Sequence, residues 1–202
     1  MSGDAGAREE TTGRRAAVFL DRDGVLNVYL PGAYVRTPDE LTLLPDAVDS
    51  VARLNALGVP VVLVSNQQGV AKGLMSDADL ASVDAALRER LAAGGGRLDA
   101  AYYCPHRASA GCECRKPLPG MLLRAAAEHG LDLSHSVFIG DTATDAQAAR
   151  AAGVGAFVLV LTGKLTDRQD GEDRALFPVP PDHVAGSLAD AVAWTAARLR
   201  NP

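Results

Sequence analysis

Asp21 and Asp23 stand two residues apart, directly after the apolar run Ala17-Val18-Phe19-Leu20, with Gly24 next to allow a sharp turn. Two carboxylates this close repel each other unless positive charge neutralises them. A divalent cation does so most simply. An all-oxygen donor set favours Mg²⁺, which keeps several waters and takes few protein carboxylates. Asp141, directly after another apolar run, is a natural third ligand. A lone D-x-D is equally compatible with a solvated turn, but Ser65, Lys116 and Asp141 elsewhere in the chain favour a site.

A second cluster has different chemistry. The three cysteines, Cys104, Cys112 and Cys114, crowd into one short stretch. An odd, clustered set is no disulfide framework; in a reducing compartment it reads as a metal site or a redox site. Cys104-Pro105-His106 and Cys112-Glu113-Cys114 together offer three thiolates and one imidazole, a tetrahedral zinc set. With Cys104, His106, Cys112 and Cys114 all bound, no position remains for water. Such a zinc would be structural and would pin the loop that delivers Arg115 and Lys116. Spare or redox thiols remain the alternative.

These residues need elements to position them. Short apolar runs at Ala17–Leu20, Val59–Val64, Ala100–Tyr103, Val137–Ile139 and Gly155–Leu161 are expected to be buried strands. Helical spacing or capping predicts helices over Pro45–Leu57, Ala78–Leu91 (capped by Ser76), Pro119–His129, Thr142–Ala152 and Leu188–Leu199. Alternating strands and helices predict an α/β fold: a Rossmann-like parallel sheet with helices on both faces. Active sites in such sheets lie beyond the carboxyl ends of the strands. Four strands run straight into polar residues: Asp21-Arg22-Asp23, Ser65-Asn66-Gln67, Cys104-Pro105-His106 and Asp141. All four groups are expected on one edge.

The 202 residues suit one domain, expected over 16–202, after a polar head at 1–15 expected to be disordered. Thr166–Asp182 is expected to be a mobile polar loop. Twenty basic against 25 acidic residues give a net charge of −5, poor bait for nucleic acid or anionic membranes. No apolar run approaches the roughly 20 residues of a membrane span. The head lacks the apolar core of a signal peptide, so a cytoplasmic protein is expected.

Asp21-Arg22-Asp23-Gly24-Val25-Leu26-Asn27, then Ser65-Asn66-Gln67-Gln68-Gly69, then Arg115-Lys116-Pro117, then Gly140-Asp141-Thr142-Ala143-Thr144-Asp145 resemble, in order and spacing, the four motifs of haloacid dehalogenase-like (HAD-like) phosphatases. Within that superfamily the chain resembles the zinc-bearing branch of heptose 1,7-bisphosphate and histidinol-phosphate phosphatases. The likeness spans about Ala16 to Leu161. It implies Asp21 as nucleophile, taking the phosphoryl group as an aspartyl-phosphate. It implies Asp23 as general acid and base. Mg²⁺ would be held by Asp21, Asp141 and the backbone carbonyl of Asp23. Ser65, Asn66 and Lys116 would surround the transferring phosphoryl oxygens, with Asp145 bracing them. Arg115 would contact the sugar phosphate, and Gln67 and Gln68 its hydroxyls. Lys72 could meet a second phosphate, and Arg22 is expected to point away.

Neither the gap Asn27–Leu44 nor Pro105–Arg115 can hold a separate cap domain, which needs about 50 residues. A capless site framed by a flap at Pro31–Val35 and by the zinc loop is therefore expected, open to a small sugar phosphate. The implied activity is hydrolysis of a heptose bisphosphate by a monomer. The rivals are a histidinol-phosphate phosphatase and a non-catalytic zinc-stabilised binding protein. Val28-Tyr29-Leu30 and Thr142 depart from the heptose pattern, in which an acidic or histidine-containing stretch and a Lys are usual.

Overall fold

A computed structural model describes residues 14–163 and 178–200. Six strands form one all-parallel sheet: β1 (Val18–Leu20), β2 (Val61–Asn66), β3 (Ala100–Cys104), β4 (Val137–Gly140), β5 (Ala156–Val160) and β6 (His183–Ala185). Their spatial order is β3-β2-β1-β4-β5-β6. Among the described residues five helices cover it: α1 (Ala47–Ala56), α2 (Asp77–Ala93), α3 (Gly120–His129), α4 (Ala143–Ala152) and α5 (Leu188–Arg200).

The strand side chains alternate between two cores, as the two-residue period of a strand demands. Val18, Leu20, Val61, Leu63, Val137, Ile139, Val158 and Val160 face one side, where α1, α2 and α5 cover them. Phe19, Val62, Val64, Phe138, Phe157 and Leu159 face the other, under α3 and α4. Both sheet faces are thus buried, so the strands read as continuous apolar runs.

Local chemistry sets the helix starts. Ser76 and Asp79 form a reciprocal capping box at the head of α2, as Thr142 and Asp145 do for α4. Asp46 precedes α1 but its carboxylate accepts instead from the Ala189 N–H at 2.7 Å, satisfying a free donor in the first turn of α5.

Three expectations shift. β2 begins and ends two residues later than its apolar run, because Ser65 and Asn66 still pair with Tyr103 and Cys104. β6 was not anticipated: three residues are too few to show a period, and pairing with β5 decides them. Arg15, assigned to the disordered head, bridges to Leu131; residues 1–13, and 164–177 of the expected loop, lie outside the described residues. The two gaps that might have held a cap contain only one-turn helices, Pro38–Glu40 and Ala108–Ala110.

The chain leaves β1 in opposite directions, towards β2 on one side and β4 on the other. That reversal opens a crevice at the carboxyl ends of β1 and β4. Leu20 registers with Ile139 and with Leu63, so the residues that follow all three strands emerge side by side.

Candidate active site

The Asp21 N–H donates to the Ile139 carbonyl at 3.1 Å, tying the end of β1 to β4. Asp21, Asp141 and Asp145 each bring a carboxylate oxygen to within 4.8 Å of the others, and all three are buried. Lys116 enters from the loop beyond β3, only 3% exposed. Its Nζ donates to the Val64 carbonyl at 2.9 Å and pairs with Asp21 at 3.0 Å and Asp145 at 2.7 Å. Three contacts use its three protons. Burial opposes the lysine's charge, but Asp145 and Asp21 outweigh it and hold its pKa above the ordinary value. Burial pushes Asp21 up to about 6, with Lys116 opposing and Asp145 and Asp23 adding to the rise. Asn66 clamps the lysine backbone from both sides: its Oδ1 accepts from the Lys116 N–H at 3.1 Å and its Nδ2 donates to the Lys116 carbonyl at 3.0 Å.

Asp23 is held differently. Arg22 Nη2 donates to both of its oxygens at 3.1 Å, Asn27 Nδ2 to Oδ1 at 2.9 Å and Gln67 Nε2 to Oδ2 at 2.7 Å. All three donors are fully buried. Burial raises the Asp23 pKa, but Arg22, Asn27 and Gln67 prevail and hold it below the ordinary carboxylate value. With two N–H donors on each oxygen, Asp23 rests as a carboxylate; to carry a proton it must release one of them.

Three buried carboxylates around one ammonium leave excess negative charge; burial is the main cause of the raised Asp21 pKa, and Asp145 and Asp23 add to it. A bound dication would reverse that logic. Space exists for close approach: a Cβ on Gly24, whose φ is +85°, would lie 2.5 Å from Asp141 Oδ2, and one on Gly163 would also strike that carboxylate. The oxygen-only donor set suits Mg²⁺. The carboxylate of Asp23, held by its three donors, is not among the grouped oxygens.

Cys104, His106, Cys112 and Cys114 converge from β3 and the loop after it, with all four ligand atoms within 4.8 Å of one another. Cys104 Sγ lies 3.7 Å from Cys112 Sγ and 3.6 Å from His106 Nδ1, and the latter lies 3.3 Å from Cys114 Sγ. Zn–S bonds of about 2.3 Å imply a tetrahedral S···S edge of about 3.8 Å, so the set fits zinc. Burial and the neighbouring Cys104 and Cys112 push the Cys114 thiol up to about 12, a penalty that a dication would remove.

Residues 113–191 match a family described as HAD-hydrolase-like. The chain is 40% identical over 191 residues to the D-glycero-beta-D-manno-heptose-1,7-bisphosphate 7-phosphatase of Yersinia pestis, covering 91% of this chain and 97% of that protein. The chain belongs to the HAD-like phosphatases. The Pseudomonas aeruginosa enzyme of the same name is 43% identical over 150 residues, 74% of this chain and 83% of that one. The crystal structure of D,D-heptose 1,7-bisphosphate phosphatase from B. bronchiseptica, complexed with magnesium and phosphate, superposes with a TM-score of 0.81 at 38% identity, covering 89% and 97%.

In this phosphatase the motifs open into a cleft of about 380 Å³. Asp21, Asp23, Ser65, Asn66, Lys116 and Asp141 line it, as do Gln68 and Arg115. Tyr29 to Val35 form the flap on one side. Arg115 is anchored by donating from Nη1 to the His106 carbonyl at 3.2 Å. Gln67 is a correction. It is fully buried rather than facing the cleft, and its Nε2 donates to Asp23 and, at 3.1 Å, to Ser65 Oγ. It braces the site instead of reading sugar hydroxyls. Arg22 points away from the cleft as a packing residue: it is 0% exposed, outside the cleft lining, with Asp23 beside it as counter-charge. Sequence reasoning also missed Asn27 as a brace on Asp23. The signal was there, since a side-chain amide four residues on can fold back across a tight loop.

Proposed function

We propose that this phosphatase removes the 7-phosphate of D-glycero-D-manno-heptose 1,7-bisphosphate, with Mg²⁺ at the aspartate cluster and structural Zn²⁺ in the Cys₃His loop. The observation that carries the reading is the buried Asp21 held against Lys116 beside Asp141, in one cleft with Asp23. The heptose 7-phosphatase relatives point to the substrate, and the magnesium complex of the B. bronchiseptica enzyme to the metal.

Asp21 attacks phosphorus along the line of the breaking P–O bond and becomes an aspartyl-phosphate. Asp23, having exchanged one N–H contact for a proton, gives that proton to the leaving sugar oxygen. It then takes a proton from the water that cleaves the acyl phosphate, releasing inorganic phosphate and restoring Asp21. The Ser65 hydroxyl and Lys116 meet the charge that grows on the phosphoryl oxygens. Asp21, Asp141 and the Asp23 carbonyl would hold the Mg²⁺, which would supply charge neutralisation for the attack. The lack of a cap suits a small substrate. We take the enzyme to act as a monomer in the cytoplasm; its acidic composition speaks against a nucleic-acid or anionic-membrane partner, and none of the described helices is long and apolar enough to cross a membrane.

Phosphate release from heptose 1,7-bisphosphate and histidinol phosphate, assayed side by side with Mg²⁺, tests the reading. A higher kcat/KM for the bisphosphate is expected; faster turnover of histidinol phosphate overturns it. Asp21→Asn is expected to abolish release while bound zinc and circular dichroism stay as in the wild type. Surviving activity would eliminate the covalent route.

A further inference from the structure

The proposed mechanism uses one end of the cleft. Lys116, held by Val64, Asp21 and Asp145, is committed there to the phosphoryl group that is transferred. Two other cations line the cleft, Arg115 and Lys72. Lys72 is exposed, and its amine donates to the Tyr34 hydroxyl at 3.1 Å while lying 5.4 Å from the centre of that ring. Its partner is a neutral phenol rather than a carboxylate, so its charge remains available to an incoming anion.

The position of this lysine is built. Residues 67–73 form a tight turn in which the Lys72 N–H donates to the Gln68 carbonyl at 3.0 Å and the Gly73 N–H to that of Val70 at 2.9 Å. Tyr34, from the flap, lies directly over Gly69: a Cβ there would stand 3.0 Å from the ring. Gly69 therefore lets the flap rest on the turn and bring its phenol to Lys72. The zinc loop grips the other side. Arg107 Nε donates to the Ala71 carbonyl at 3.0 Å, and the Ala71 N–H donates to the Pro105 carbonyl at 3.3 Å. The same loop carries Arg115. One framework thus holds both cations in the lining of the cleft that contains the nucleophile.

We propose that Lys72, docked on Tyr34, recognises the second phosphate of the substrate and, with Arg115, sets the preference for a sugar bisphosphate over a monophosphate. This rests on the function proposed above and names the residue that reads the phosphate which is not hydrolysed. An ammonium and a phosphate form a charge-assisted hydrogen bond, a contact whose loss costs about tenfold or more in affinity.

The test compares kcat/KM for heptose 1,7-bisphosphate with kcat/KM for heptose 7-phosphate, the same sugar without the remote phosphate. The wild type is expected to prefer the bisphosphate, and Lys72→Met to lower that ratio about tenfold or more through KM for the bisphosphate. Lys72→Arg, which keeps the charge, is expected to hold the ratio within about threefold of the wild type. A wild-type preference that survives intact in Lys72→Met overturns the subsite alone, as does an equal loss on both substrates. A wild type without preference overturns the subsite together with the substrate assignment.

Discussion

Lys116 is the single residue on which the phosphate end of the site turns. It separates two buried carboxylates, Asp21 and Asp145, that would otherwise face each other. Removing one partner of a buried ion pair costs about 3–5 kcal/mol because the other charge stays buried. Lys116→Met is therefore expected to lose stability of that order in urea unfolding, and about a hundredfold or more in kcat. An unchanged kcat would remove it from the site. Asp21 makes a second prediction. Its pKa is raised to about 6 by burial, with Lys116 opposing. Under the proposed assignment Mg²⁺ binds this carboxylate, so below that value a proton must first leave. Mg²⁺ affinity, measured by titration calorimetry, is expected to be level above about pH 6 and to weaken by up to tenfold per pH unit below it. An affinity independent of pH from 5 to 8 would contradict the Asp21 assignment. The residues that hold Asp23 show where a motif stops speaking: D-x-D names the carboxylates, but not that Arg22, Asn27 and Gln67 are buried as donors to Asp23.

At the scale of elements, the loop after β3 is the unit that matters. It carries no regular structure beyond one short turn, Ala108–Ala110, yet it positions Arg115 and Lys116 and grips the 67–73 turn. Four ligands from one stretch of chain can impose that order where hydrophobic burial cannot. Cys112→Ser, or zinc removal by a chelator, is expected to lower Tm by about 5–10 °C, a few kcal/mol for a chain of this size. Equal Tm with and without zinc would contradict a structural role. The Cys₃His spacing was legible in the sequence because all four ligands are local. The short strand β6 was not, because its conformation comes from the β5 edge rather than from its own three residues.

Across the whole molecule, the parallel sheet brings distant motifs to one rim, and its centre is unforgiving. Phe138 on β4 is fully buried, stacks edge-on against Phe157 at 5.8 Å and lies 5.5 Å beneath the Lys116 amine. Phe138→Ala is expected to cost about 3–5 kcal/mol in urea unfolding; a loss under about 1 kcal/mol would mean that the core below the site is not tightly packed. The sequence by itself determined the alternation of strands and helices, the four motifs and their placement at the strand ends, and the cysteine–histidine loop. Each of these is written in local spacing: apolar runs that stop at polar residues, caps, and ligands a few positions apart. Tertiary structure alone decided the strand order, the burial of Arg22, the diversion of Gln67 from substrate to Asp23, and the docking of Lys72 on the flap. Those outcomes depend on which groups meet across 44 residues for Gln67 and Asp23, or 38 for Lys72 and Tyr34. Most buried N–H groups find an acceptor, and which acceptor is near is fixed only when the sheet closes.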